Sequence, residues 1–139
     1  MPDDARPYVL LGIVQAAEGD SKAKKNFIRA LEVDPRCMDA VYRLVDLYNS
    51  SQMYREAIDV LEGALQQEDS DQIHYRLGDA YFALDEWDVA IEQYQQALAL
   101  NANCKEAQKG LEKIQNPREQ DESMENGEEV ESNDESNDF

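Results

Sequence analysis

A pattern of small and large residues that returns every 33 or 34 positions constrains this chain more than any other feature. Ala23, Phe27 and Ala30 recur as Ala57, Leu61 and Ala64, and again as Ala90, Tyr94 and Ala97. Leu44, Val45 and Tyr48 likewise recur as Leu77, Gly78 and Tyr81. A period of this length belongs to a unit of two antiparallel helices that stacks on copies of itself. Small residues at Gly78, Ala90 and Ala97 let helix backbones approach closely. Tyr81, Trp87 and Tyr94 are expected to fill the volume beside those contacts.

Counted this way, residues 1–37 hold a degenerate first unit, with its phase set at Asp4, and Ala30 and Pro35 in its clear second half. Leu10 and Leu11 stand where a small residue is usual, which displaces that residue to Gly12 and predicts a first helix that packs loosely on its open side. Residues 38–70 form the second unit, one residue short within the polar stretch Gln66–Asp71, where loop length is readily tolerated. Residues 71–104 form the third and most regular unit. Residues 105–115 place Ala107, Leu111 and Ile114 on one stripe, as a helix capping the last unit needs. Asn116-Pro117 stops that helix. Residues 116–139 read as a disordered acidic tail. The fold class expected is an all-α helix-turn-helix solenoid of three pairs with a C-terminal capping helix.

The chain carries 13 basic and 31 acidic residues, a formal charge of −18. That balance argues against binding nucleic acid or an anionic membrane. Ten acidic residues and one basic residue lie between Asn116 and Phe139. This segment either keeps the chain soluble or meets basic partners, and Ser132, followed by Asp134 and Glu135, fits an acid-directed phosphorylation site. No run of about 20 apolar residues is present, so no membrane-spanning helix is expected. Asp3 and Asp4 occupy what should be a basic leading segment ahead of the apolar stretch Tyr8–Val14, so it does not read as a secretory leader.

No constellation of side chains points to catalysis. His74, the lone histidine, falls at unit position 4, where a packed residue is expected. Cys37 and Cys104 both fall at position 34, two units apart, roughly 20 Å if each unit advances by one helix spacing. This excludes a disulfide or a shared metal site. There is no glycine-rich phosphate loop, no Cys-x-x-Cys pair and no calcium-binding loop. No catalytic residue, cofactor or metal is expected.

A second regularity points to binding. Tyr8, Tyr42 and Tyr75 share unit position 5, which is expected to face a concave surface lined by the first helices. Arg43 and Arg76 follow at position 6, and Asp46 and Asp79 at position 9, which predicts Arg–Asp pairs three residues apart. Phe82 at position 12 adds another aromatic face. Such a surface suits an extended peptide or a partner's helix. The same residues also read as an ordinary solvated face whose charges neutralise one another.

In these features, over residues 4–115, the chain resembles the tetratricopeptide repeat proteins. The run HYRLGDAYFALDEWDVAIEQYQQALAL, with AVYRLVDLYNSSQMYREAIDVLEGAL before it and KEAQKGLEKIQ and an acidic segment after it, is similar to the C-terminal repeats of the subunit-seven family of the anaphase-promoting complex. The resemblance implies a non-catalytic scaffold in a cell-cycle ubiquitin ligase. It also implies contacts with other repeat subunits and residence in nucleus and cytoplasm. The family carries homodimerisation on repeats N-terminal to those matched, so a chain of this length is not expected to homodimerise. The second reading is a free adaptor of the co-chaperone kind. A carboxylate clamp needs Lys or Asn at positions 5 and 9, where Tyr42, Tyr75, Asp46 and Asp79 stand, and the two aspartates repel an acidic peptide.

Overall fold

The computed structural model describes residues 4–115, and these form seven helices without a strand. They are α1 (Arg6–Ala17), α2 (Lys22–Val33), α3 (Met38–Ser50), α4 (Tyr54–Leu65), α5 (Asp71–Ala83), α6 (Trp87–Leu100) and α7 (Lys105–Gln115). The expected acidic tail lies outside the described residues. Within each pair the two helices pack on one another, and the second helix of each pair meets the first helix of the next. The architecture is therefore a one-dimensional stack in which each pair touches only its neighbours.

Local chemistry sets the ends of the helices. Pro7, in the first turn of α1, has no amide proton to waste and a φ suited to the helix. Ser70 caps α5 by accepting a hydrogen bond from the Gln72 amide at 3.1 Å. Inside each pair the chain reverses through one and the same turn. Gly19, Gln52 and Asp85 take left-handed φ values of 74°, 61° and 63°. Immediately after them the amides of Asp20, Met53 and Glu86 donate to the carbonyls of Gln15, Tyr48 and Tyr81 at 2.8–2.9 Å, closing a Schellman motif.

These three turns fix the register. Gln15, Tyr48 and Tyr81 are spaced 33 apart, whereas Ala23 and Ala57 on the second helices are spaced 34 apart. The first pair thus loses one residue between its turn and the small residue Ala23 of α2. Gly12 is not displaced at all, because α1 as a whole is slid by one position. In space Gly12 matches Val45 and Gly78.

The core runs through the stack in three connected clusters. Val9, Phe27 and Leu44 anchor the first; Val45, Leu61 and Leu77 the second; Tyr94 and Ala107 the third. Ala23, Ala30, Ala57, Ala64, Ala90 and Ala97 are all buried, as their role in close helix approach requires. Gly12 and Gly78 hold the matching aromatic rings: a Cβ on either would lie 2.7 Å or less from Phe27 or Tyr94. Trp87 departs from expectation. It is half exposed and stacks on Phe82 with ring centroids 6.1 Å apart, because as the first residue of α6 it sits at the rim of the turn. Pro35 lies exposed in the turn between α2 and α3. Ala107 and Gly110 seat α7 on α6, with Leu111 and Ile114 completing the contact.

Candidate functional site

Tyr42 on α3 and Tyr75 on α5 occupy equivalent positions 33 residues apart and meet across one side chain, that of Arg76. The Arg76 guanidinium carbon lies 4.3 Å from the Tyr42 ring centroid and 5.3 Å from that of Tyr75. A planar cation between two ring faces is held by both quadrupoles. Its Nη1 reaches back to Asp46 Oδ1 at 3.5 Å, while its Nε is buried without a hydrogen-bond partner. Both tyrosines are half-buried, so part of each ring remains open to a ligand. Burial raises the Tyr75 phenol above its ordinary pKa, with Arg76 opposing the shift.

Tyr8 does not join them. With α1 slid by one residue, the spatial match of Tyr42 and Tyr75 is Val9, and Tyr8 is turned by about 100° along the helix. There it packs into the first core cluster and meets Arg29 of α2 at 5.8 Å. The ladder therefore has two rungs, not three.

The Arg–Asp pairing also differs from the expectation. Arg43 Nε donates to Asp39 Oδ1 at 2.9 Å, four residues back, rather than to Asp46. An acid one turn N-terminal to a cation is the favoured order on a helix. Arg76, drawn across to Tyr42, pairs with Asp46 of the preceding unit instead of Asp79. Asp79 accepts the Tyr94 hydroxyl hydrogen at 2.5 Å. Although part of Asp79 is open to solvent, the surrounding protein pushes its carboxyl above the usual range. The Tyr94 hydroxyl, Lys113 and Arg76 pull the other way. Burial and the Asp79 carboxylate together push the Tyr94 phenol far up. Phe82, two turns beyond Tyr75 on the same stripe, is spent on Trp87 and on the cluster beneath α7.

His74 is 8% exposed, with Nδ1 2.8 Å from Gln93 Oε1 and Nε2 2.7 Å from Asp69 Oδ1. Both ring nitrogens are thus engaged in tying α5 to its neighbours. Cys37 and Cys104 are free thiols in separate clusters, and burial raises the thiol of Cys104. Among the described residues no group of His, Cys, Asp and Glu could hold a metal ion.

The role of Gly110 escaped the sequence reading. A Cβ there would lie 2.3 Å from the Tyr94 ring, so that ring is gripped by Gly78 on one helix and Gly110 on another. The available signal was its place three residues after Ala107 on the α7 stripe. The bridge from Arg55 on α4 to Glu86 in the α5–α6 turn was equally invisible, since 31 residues separate the partners.

Known proteins fit this geometry. The tetratricopeptide repeat family matches residues 21–73 and 72–104, together more than half of the chain. Anaphase-promoting complex subunit 7 of Dictyostelium discoideum is 29% identical over 116 residues, covering 82% of this chain and 20% of that protein. The Homo sapiens subunit 7 is 32% identical over 94 residues, covering 68% of this chain and 17% of that protein. The chain thus spans about a fifth of the length of these relatives. Among solved structures, the first TPR domain of the human RPAP3 protein superposes with a TM-score of 0.73 at 22% identity, covering 88% of this chain and 98% of that one. From its repeated turns, its alanine and glycine seams and these matches, the chain belongs to the tetratricopeptide repeat family.

Proposed function

We propose that this protein is a non-catalytic scaffold, a subunit of the anaphase-promoting complex of the subunit-seven kind, working in nucleus and cytoplasm among other repeat subunits. The match to subunit 7 proteins over most of the array supports this reading. Among the described residues no helix is long and apolar enough to cross a membrane. One observation carries the binding assignment: Arg76 held between the half-open rings of Tyr42 and Tyr75. Aromatic residues and arginine are the types enriched where proteins meet, and a cation already flattened between two rings loses little further freedom on binding. An extended segment or helix of a partner subunit, laid across α3 and α5, covers the ring faces and pairs with the charges at their edges. The groove offers nothing to a co-chaperone role, since Asp46 and Asp79 oppose an acidic peptide.

The test is capture from cell extract with the wild-type chain and with Tyr42→Ala/Tyr75→Ala, read by mass spectrometry. Recovery of anaphase-promoting subunits by the wild type, reduced at least several-fold in the double variant, is the expected result. Wild-type capture without those subunits refutes the assignment. Equal recovery by both proteins refutes the groove.

A further inference from the structure

The outer face of the second helices changes sign along the array. Lys22, Lys25 and Arg29 stand on one stripe of α2, three and four residues apart, and all three are exposed. The residues 34 positions later on α4 are Glu56, Asp59 and Gly63, and they are exposed too. α4 has a helix pair on either side, so exposure at these positions belongs to the stack itself and not to its edge. On α6 the stripe continues as Val89, Glu92 and Gln96. Taken whole, α2 sets Lys22, Lys24, Lys25 and Arg29 against Glu32, whereas α4 sets Arg55 against Glu56, Asp59 and Glu62, and α6 holds Asp88 and Glu92 without a cation. The acids flanking the α2 stripe are engaged: Asp20 accepts the Lys22 amide hydrogen at 2.9 Å, and Glu32 meets Arg29 at 3.2 Å. Lys24 lies over the Tyr48 ring at 5.0 Å. Among the described residues no carboxylate pairs with the ammonium of Lys22 or Lys25. In a chain of charge −18, this stripe is a cationic surface without its counter-charge.

We infer that the acidic stretch at residues 128–135 of this same chain covers it, with Glu128, Glu129 and Glu131 laid against Lys22, Lys25 and Arg29. Charge, spacing and reach select that occupant. Residues 128–135 hold Glu128, Glu129, Glu131, Asp134 and Glu135 and no cation. Lys22 to Arg29 spans roughly 10 Å along the helix, and Glu128 to Glu131 spans roughly 10 Å when extended, so the two rows of charge match in length. Between α7 and the stretch, residues 116–127 reach up to about 40 Å, more than the roughly 20–30 Å that two or three helix spacings set between α7 and α2. A stretch tethered to its site also meets it at an effective concentration in the millimolar range, which a separate acidic protein does not match. α7 is nearer along the chain, but its Lys105, Lys109 and Lys113 are interspersed with Glu106 and Glu112. The contact therefore bridges the array to its basic helix and leaves Tyr42, Arg76 and Tyr75 on the first helices uncovered.

Carbodiimide cross-linking of the full chain, read by mass spectrometry, tests the inference, because it joins a lysine amine only to a carboxylate in contact with it. An equal mixture of isotope-labelled and unlabelled chain separates links within one molecule from links between two. The expected result is a set of links within one molecule from Lys22 or Lys25 to Glu128, Glu129 or Glu131, at least several-fold more abundant than links from Lys105, Lys109 or Lys113 to the same acids. Raising salt from about 0.05 M to about 0.5 M reduces them at least several-fold, since the pairs are exposed and screened. In the full chain, Glu128→Gln/Glu129→Gln/Glu131→Gln shifts the amide resonances of residues 22–29 and leaves those of α4 in place. Links led by the α7 lysines, the pattern that nearness along the chain alone produces, overturn the inference. Links found only between labelled and unlabelled molecules overturn it too, as do α2 resonances that ignore the variant.

Discussion

Replacing Gly78 by alanine adds a single methyl group, and the outcome tests the packing of the whole third unit. Its Cβ would fall 2.6 Å from Cε1 and 2.7 Å from Cδ1 of Tyr94, well inside van der Waals contact. The ring cannot step aside. It is 2% exposed, its far side is closed by Gly110, and its hydroxyl is tied to Asp79. Overpacking of this kind costs about 1–3 kcal/mol, set against the roughly 1 kcal/mol by which alanine favours a helix interior over glycine. Because the ring cannot yield, the cost lies toward the upper end of that range, and Gly78→Ala should destabilise by up to about 2 kcal/mol net. Gly63→Ala is the matched control, since nothing lies within 4 Å of its Cβ position. There only the helix preference acts, and stability should rise by roughly 0.5–1 kcal/mol. Urea unfolding followed by helical circular dichroism measures both, and the two midpoints should move in opposite directions. Equal shifts, or a stabilised Gly78→Ala, would refute the assignment of Gly78 to the helix-facing position.

Three further outcomes follow from individual contacts. Although partly open to solvent, the folded carboxyl of Asp79 is raised by the protein packed around it, so its ionisation costs stability: the fold is not penalised below the ordinary Asp value of 3.8 and loses stability as pH rises above it through the folded value. Asp79→Asn keeps an acceptor for the Tyr94 hydroxyl and should flatten that part of the pH profile, which unfolding midpoints at about pH 4 and pH 7 will check. Phe27→Ala empties a site 1% exposed and should cost about 3–5 kcal/mol, whereas Trp87→Ala at the half-exposed rim should cost well under half as much, both read by thermal melting. Ser70→Ala removes the cap of α5 and should cost about 1 kcal/mol, while Ser21→Ala, whose side chain makes no cap bond, should be nearly silent in the same assay.

Much of this protein is determined by order along the chain. The alternation of small and large residues at a fixed period dictates helix pairs, because only a helix brings positions three and four apart onto one face. Ala90, Tyr94 and Ala97 could be assigned to the core by spacing alone. Contacts between units were decided only in three dimensions. A single residue missing between the Gly19 turn and Ala23 slid α1 by one position and turned Tyr8 away from Tyr42 and Tyr75. One-residue offsets matter because each step turns a helix by about 100°. Arg76 likewise chose Tyr42 and Asp46, more than 29 residues away, over Asp79 three residues on. Sequence proximity ranks partners along one helix, while the stacking of helix pairs brings distant rings and charges closer than any local neighbour. Period therefore determined the fold, and the packing of one pair on the next decided which side chains became the site.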